Sequence, residues 1–269
     1  MKKILANAYL WVILGILYAP IFIILIFSFT EAKILGSWSG FSLNLYTSLF
    51  KGEGGNALNN AIFNTVTIAI IAAVVSTLMG TIAAIGIFHR RKAEKKILNF
   101  VNSIPMINPD IITGISLFLL FVFVGMQRGY ATILCSHIAF CTPYVVLCVM
   151  PRLAKMTPNL YDAALDLGAN PFQAFRKVLL PELRPGMLSG LVLSLTLSID
   201  DFAVTFFTKG SSGVETLSTF IYADARKGGL TPELRSLFSL IFITSFRYWF
   251  SQTKWCLSSG EVFCEAFAR

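Results

Sequence analysis

The chain has 269 residues, of which 55% are hydrophobic and 13% are charged, against about 45–50% and 25% in soluble domains. So little polar surface excludes a water-soluble globular protein and indicates an integral membrane protein. The net charge of +8 does not indicate nucleic-acid binding, because the basic residues are not grouped on a soluble domain with aromatic residues between them.

Apolar segments long enough to cross a bilayer recur along the sequence. A span needs about 20 residues with few charges. The first such segment is too long for a signal peptide and is expected to remain as an uncleaved span. The sequence predicts an all-α membrane fold of about six transmembrane helices, the last of them weak. In chain order they are Tyr9–Phe29, Ala61–Phe88, Ile111–Gly125, Ala131–Met150, Met187–Phe207 and Leu237–Phe250.

Lys and Arg residues are unevenly shared between the loops on the two sides of these spans. Of the 22 in the chain, 15 fall in the two terminal tails, the loop 89–96 and the stretch 151–184. Because cytoplasmic loops are enriched in Lys and Arg, this distribution predicts that these segments and both termini are cytoplasmic. The loops 30–60 and 208–235 are then expected on the outer side.

Between the fourth and fifth spans, a polar stretch predicts a hairpin of two short helices over residues 157–181. Thr157 followed by Pro158 is a helix start signal, since the hydroxyl can cap the helix and proline is favoured at its first position. Gly168 then predicts the end of the first helix, because glycine readily adopts the left-handed conformation found there.

The second helix of the hairpin has its own start and stop signals. Asn170 and Pro171, with Gln173 three positions after Asn170, predict an N-terminus close to a capping box. Pro181 is expected to end this helix, because proline lacks the backbone donor that a helix interior requires.

The hairpin also resembles the cytoplasmic loop of permease subunits of binding-protein-dependent ABC importers. The signature of that loop is Glu-Ala-Ala, three residues, Gly, nine residues, Ile, one residue and Leu-Pro, and its spacing is kept here. The matching positions are Asp162, Ala163, Ala164, Gly168, Val178, Leu180 and Pro181, with Asp162 replacing Glu and Val178 replacing Ile. The resemblance implies a fold like that of type I ABC importer permeases, with these residues coupling the chain to an ATPase.

Carboxylates inside the predicted spans form a second candidate site, since a charge there is costly and is usually functional. Asp201 falls on one helix face with Ser198 and Thr205, and Asp200 is turned about 100° away. A polar face within a span must meet protein or water. We predict that this face lines a substrate pathway, with Asp201 better placed than Asp200; a buried interhelical hydrogen bond or ion pair is the alternative. Asp110 is a further pathway candidate, which would otherwise complement a helix dipole.

These acids also indicate a substrate class. A polyamine carries ammonium groups separated by methylenes, so it needs spaced carboxylates and aromatic faces. The segments LSIDDFAVTFFTKG, NPDIITGISLFLLF and FCTPYVV resemble those of spermidine/putrescine permeases. That resemblance implies inward polyamine transport, while another organic cation, iron or an oxyanion remains an open alternative.

The resemblance to importer permeases further implies partners and a location. The partners are a cytoplasmic ABC ATPase dimer that carries ATP and Mg²⁺, a second related permease subunit and an extracytoplasmic substrate-binding protein, in a bacterial inner membrane. The chain itself has no P-loop pattern GxxxxGK[ST], so we expect it neither to hydrolyse nucleotide nor to bind a cofactor. Its 2 His and 5 Cys have no metal-ligand spacing, and His137 is expected to be a hydrogen-bonded interior residue.

Two other classes remain as alternatives. An ATP-independent channel or secondary transporter is one, although secondary transporters usually contain matched pairs of broken helices, and the sequence shows no such pair. An intramembrane enzyme would need a catalytic cluster within the spans, and the sequence contains none.

The C-terminal tail is atypical in composition. We predict a permease domain over 1–250 and a separate tail over 251–269, because the last apolar run is interrupted at Arg247. The residues that follow show no helical period. A change of reading frame near Phe246 would explain this tail, and natural divergence is the alternative.

Overall fold

The computed structural model describes residues 2–32, 38–51, 56–156, 160–211, 213–227 and 231–243, and every regular element within those ranges is a helix. We number the helices in chain order. They are α1 Lys2–Phe27, α2 Asn44–Lys51, α3 Asn56–Phe88, α4 Lys92–Ile107, α5 Asp110–Val124, α6 Tyr130–Lys155, α7 Leu160–Asp166, α8 Pro171–Asp200, α9 Ala203–Thr208, α10 Leu217–Arg226 and α11 232–243.

Four helices of the described chain are long and apolar enough to cross a membrane alone, and these are Tyr9–Phe27 of α1, α3, α6 and α8. A fifth span is formed if α4 and α5, which meet at a bend of 103°, cross the membrane together. The predicted third span is therefore the second half of a bent pair. The predicted sixth span begins within α11, and its residues after 243 lie outside the described part, as does the C-terminal tail. The cytoplasmic placement of both termini stays a prediction.

The second helix of the hairpin does not end at Pro181, as the sequence predicts, because it is the first part of the long helix α8. It continues from Pro171 to Asp200 through a π-helical turn at Phe175–Leu179. In that turn the N–H of Leu180 donates to the carbonyl of Phe175, five residues earlier. The wider turn changes the hydrogen-bond register immediately before Pro181, which then occupies the first turn of a new α-helical segment, where its missing N–H is tolerated.

The helices divide into two compact units, of which one contains Asn60–Phe220. Its core lies where α3, α6 and α8 meet, and small residues allow the helices to approach closely, as is common in membrane proteins. A Cβ at Gly80 would lie 2.6 Å from Cβ of Val145, and one at Gly190 would lie 3.1 Å from Cγ1 of the same valine. The core side chains are Ala84, Val145, Val146, Val149, Leu153, Leu179 and Leu183.

The other unit contains Met1–Asn59 and Ile221–Arg269. The chain after α1 is held by an aromatic stack, in which the rings of Phe29 and Phe41 lie 5.5 Å apart. At the start of α11, the buried Arg235 donates from Nη1 to the carbonyl of Ala32 at 2.8 Å. This bond fixes the first part of the loop that follows α1, because a buried guanidinium must satisfy its donors within the protein.

Candidate functional site

The first helix of the hairpin ends as its sequence predicts. Gly168 has φ +86°, and the N–H of Ala169 donates to the carbonyl of Ala164 at 3.1 Å. The N–H of Gly168 donates to Leu165 O at 2.9 Å. This is the left-handed helix end that favours glycine. The predicted start at Thr157 and the side chain of Asp162 lie outside the described part.

The second helix begins with a capping box, which confirms the prediction from Asn170 and Gln173. The N–H of Gln173 donates to Oδ1 of Asn170 at 2.8 Å, and the N–H of Asn170 donates to Oε1 of Gln173 at 3.3 Å. Pro171 occupies the first position of the helix. The glycine end and this cap together define a sharp bend with few free conformations.

The bend of the hairpin exposes apolar side chains. Leu167 is 89% exposed and Phe172 is 68% exposed, whereas Ala174 and Leu179 are buried against the rest of the chain. Large apolar groups at the tip of a polar hairpin favour docking to another protein. The remaining signature positions are divided between exposed residues, Ala163, Gly168 and Pro181, and half-buried ones, Ala164, Val178 and Leu180.

The second candidate site lies at a helix break. The fifth span is predicted as one helix through Phe207, but α8 ends at Asp200, and the N–H of Asp201 makes the last bond, to Leu197 O at 3.1 Å. Asp201 is extended, with φ −63° and ψ 127°, and α9 begins at Ala203. The polar face that was predicted to be continuous is therefore divided between two helices.

The side chain of Asp201 caps α9. Its Oδ1 accepts from the N–H of Val204 at 3.1 Å, and its Oδ2 accepts from both the N–H and the hydroxyl of Thr205 at 2.8 Å. The backbone carbonyl of Asp201 accepts from Oγ of Ser218 at 2.6 Å. With its side chain 5% exposed, Asp201 is an integral part of the break.

A histidine that sequence reasoning did not place in the site completes this network. His137 on α6 is buried, with Nδ1 2.6 Å from Oγ of Ser198 and Nε2 2.9 Å from Oγ1 of Thr205. Nε2 also lies 3.4 Å from Oδ2 of Asp201. The available sequence signal was the presence of an ionisable residue within a span, which usually has a polar partner in another span.

Asp200 and Asp110 have exposed side chains, in contrast to Asp201. A Cβ at Gly114 would lie 3.1 Å from Ala203 O, so α5 packs closely on α9. Asp110 lies one helical turn before Gly114 on α5. The exposure of the two neighbouring acids is thus the reverse of the order that we predicted. Their roles in a substrate pathway, and those of Ser198 and Thr205, stay predictions.

The chemistry of this site is that of an acidic, aromatic helix break. The rings of Phe202 and Phe206 lie 5.4 Å apart, and those of Phe206 and Phe207 lie 5.6 Å apart. The C-terminus of α8 adds partial negative charge beside Asp200. Such a surface suits an organic cation. Within the described residues, no group of 3 or more His, Cys, Asp or Glu side chains could hold a metal ion.

Residues 76–247 match the family model described as binding-protein-dependent transport system inner membrane component. Among characterised relatives, the spermidine/putrescine transport system permease protein PotC of Haemophilus influenzae is 36% identical over 241 residues, covering 90% of this chain and 92% of the relative. The putrescine transport system permease protein PotI of Escherichia coli K12 is 35% identical over 246 residues, covering 87% of this chain and 85% of the relative.

Solved structures show the same fold at low sequence identity. A chain of a bacterial ABC transporter involved in the import of alginate is 14% identical, with a TM-score of 0.68 and coverage of 94% of this chain and 95% of that one. A chain of the MetNI methionine ABC transporter is 19% identical, with a TM-score of 0.58 and coverage of 75% and 95%. The chain therefore belongs to the family of binding-protein-dependent transport system inner membrane components.

Proposed function

We propose that this chain is the transmembrane permease subunit of an ABC importer that moves polyamines, spermidine or putrescine, into the cell across a bacterial inner membrane. The observation that carries most weight is its identity of 35–36% to permeases named for spermidine and putrescine transport, over 87–90% of its length. Such coverage includes both the hairpin and the acidic helix break.

The helix break supports a cationic substrate on physical grounds. A polyamine ammonium near Asp200 would meet the carboxylate and the negative end of the α8 dipole together. The neighbouring rings of Phe202 and Phe206 offer faces for cation–π contacts with other ammonium groups. Asp110, at the start of the adjacent helix α5, supplies a second exposed carboxylate. An oxyanion would be repelled by the same groups.

The hairpin supports a division of labour between subunits. The exposed Leu167 and Phe172 form an apolar tip that suits a groove on a cytoplasmic ATPase. ATP and Mg²⁺ would be bound by that ATPase, and this chain would transmit its movement. A second related permease subunit would complete the pore, and an extracytoplasmic binding protein would deliver substrate to the outer loops.

Uptake of radiolabelled spermidine and putrescine, in cells that express the complete operon, tests the substrate. We expect uptake of at least one labelled polyamine. An excess of the unlabelled amine should abolish this uptake, whereas ferric, sulfate and molybdate salts should leave it unchanged. Inhibition by one of those salts alone would contradict a polyamine substrate. Co-purification of an ATPase with the tagged chain tests the subunit division, and its failure under conditions that preserve uptake would favour a channel or secondary transporter.

Replacement of Gly168 by valine tests the hairpin. At φ +86° a β-branched residue is strained by about 1–2 kcal/mol, although among the described residues nothing lies within 4 Å of the added Cβ. We expect uptake to fall by about tenfold at an unchanged level of chain in the membrane. Gly168→Asn is the matched control, because asparagine tolerates the left-handed conformation, and it should retain most uptake. Equal uptake by the valine and glycine forms would contradict the proposed role of the bend.

A further inference from the structure

One imidazole connects the two sides of the break between α8 and α9. Ser198, which contacts Nδ1 of His137, precedes the break, and Thr205, which contacts Nε2, follows it. His137 itself belongs to α6, a helix of the core. The ring therefore holds the end of one helix and the start of the next against a third.

The hydrogen bonds of His137 determine which of its ring nitrogens carries a hydrogen. Thr205 has one hydroxyl hydrogen, and its Oγ1 donates to Oδ2 of Asp201 at 2.8 Å. Toward His137 the same oxygen must accept, so Nε2 carries a hydrogen in both the neutral and the protonated ring. In the neutral ring, Nδ1 accepts the hydroxyl hydrogen of Ser198. The bridge across the break thus does not depend on the charge of the imidazole.

Asp201 occupies the centre of this bridge, and its carboxylate is already engaged by α9. Both of its oxygens accept backbone N–H groups of the first turn of that helix. The exposed carboxylate is that of Asp200, the last residue of α8, directly before the break. Ser198, which His137 contacts, lies in the same last turn of α8, so this contact holds the turn that carries Asp200.

We propose that His137 is a positioning residue that fixes the last turn of α8 against the start of α9 and thereby orients Asp200 toward the substrate. This inference rests on the proposed function to the extent that Asp200 faces a polyamine. The positioning itself is a property of the chain alone. The two parts can therefore be measured separately.

The first measurement reports on the break without any substrate. Asp200→Cys is introduced into a chain whose 5 cysteines are replaced by alanine, and the rate of labelling by a membrane-impermeant thiol reagent is followed in membranes. Adding His137→Ala should change that rate at least about threefold, because the loss of two buried hydrogen bonds releases the turn. Ser136→Ala is the matched control, since within the described residues the hydroxyl of this buried neighbour bonds on its own helix, to Thr132 O at 2.7 Å, and the change should leave the rate unchanged.

The second measurement compares two substrates in the otherwise native chain. At equal amounts of chain in the membrane, His137→Ala should shift the ratio of putrescine to spermidine uptake by about threefold or more, because the two amines space their charges differently. A merely structural loss would lower both rates by one factor and leave the ratio constant. His137→Gln should lie closer to the native ratio, since its amide still offers an N–H donor toward Thr205.

The outcomes distinguish the positioning role of His137 from the proposed polyamine substrate. If neither polyamine is transported but labelling changes as expected, the substrate proposal fails and the positioning role stands. If labelling and the uptake ratio are both the same for His137→Ala and the native residue, His137 does not position the break. Should His137→Ala not reach the membrane, Ser198→Ala removes the Nδ1 contact alone and should shift both readouts in the same direction; unchanged values there would overturn the proposal as well.

Discussion

Replacing Asp201 by asparagine is expected to reduce both the amount of folded chain and the rate of transport, with uptake falling by more than about tenfold. The carboxylate accepts three hydrogen bonds, from Val204 and from the N–H and hydroxyl of Thr205. An amide has one acceptor oxygen, so at least one donor would face its NH₂ group. Losing these bonds at a side chain that is 5% exposed should cost about 2–4 kcal/mol. Thermal unfolding of the purified chain and uptake in cells measure the two effects.

Asp200→Asn provides the matched comparison one residue away. Because the Asp200 side chain is exposed, its replacement should change the free energy of unfolding by less than about 0.5 kcal/mol. Its uptake of polyamine should nevertheless fall, since the carboxylate that faces the substrate in our proposal is gone. The same loss of stability in both variants would contradict the assignment of Asp201 as the cap and Asp200 as the exposed acid.

A leucine at Gly80 is expected to prevent the core from assembling. Its Cβ would lie 2.6 Å from Cβ of Val145 and 3.0 Å from the carbonyl oxygen of Thr142. The backbone of α6 cannot move away without disturbing its contacts with α8, so the cost should exceed about 3 kcal/mol. We expect little folded chain in the membrane, as measured by resistance to limited proteolysis and by thermal unfolding in detergent.

Gly86→Leu is the control for that substitution. It lies on the same helix, and among the described residues nothing lies within 4 Å of the added Cβ. Leucine also favours a helix by about 0.5–1 kcal/mol over glycine, so the variant should fold at least as well as the native chain. Comparable losses from the two leucines would show that α3 does not pack through Gly80 as described.

Sequence reasoning succeeded where structure is determined by nearest neighbours. The end of α7 at Gly168 and the cap formed by Asn170 and Gln173 depend on residues within one turn of each other. The long apolar runs were equally local, since composition alone defines them. Pro181 was misjudged because a π turn several residues before it changed the register that the proline had to fit.

The helix break at Asp201 could not be predicted in this way. A helical period through Thr205 looks continuous in sequence, and the chain turns only because Asp201 can cap a new helix while α6 supplies His137. His137 is 61 residues from Ser198 and 68 residues from Thr205 in the chain. Polar spacing grouped Asp201 with Ser198 and Thr205, but it could not indicate that Asp201 is buried and Asp200 exposed.

The length of α8, which connects the hairpin to the helix break, has a mechanical consequence. Its 30 residues correspond to a length of about 45 Å, with the bend of the hairpin at one end and Asp200 at the other. A stiff rod of that length that tilts by about 5° moves its far end by about 4 Å. A small displacement imposed at the bend would thus be large enough to close or open the space around an ammonium group.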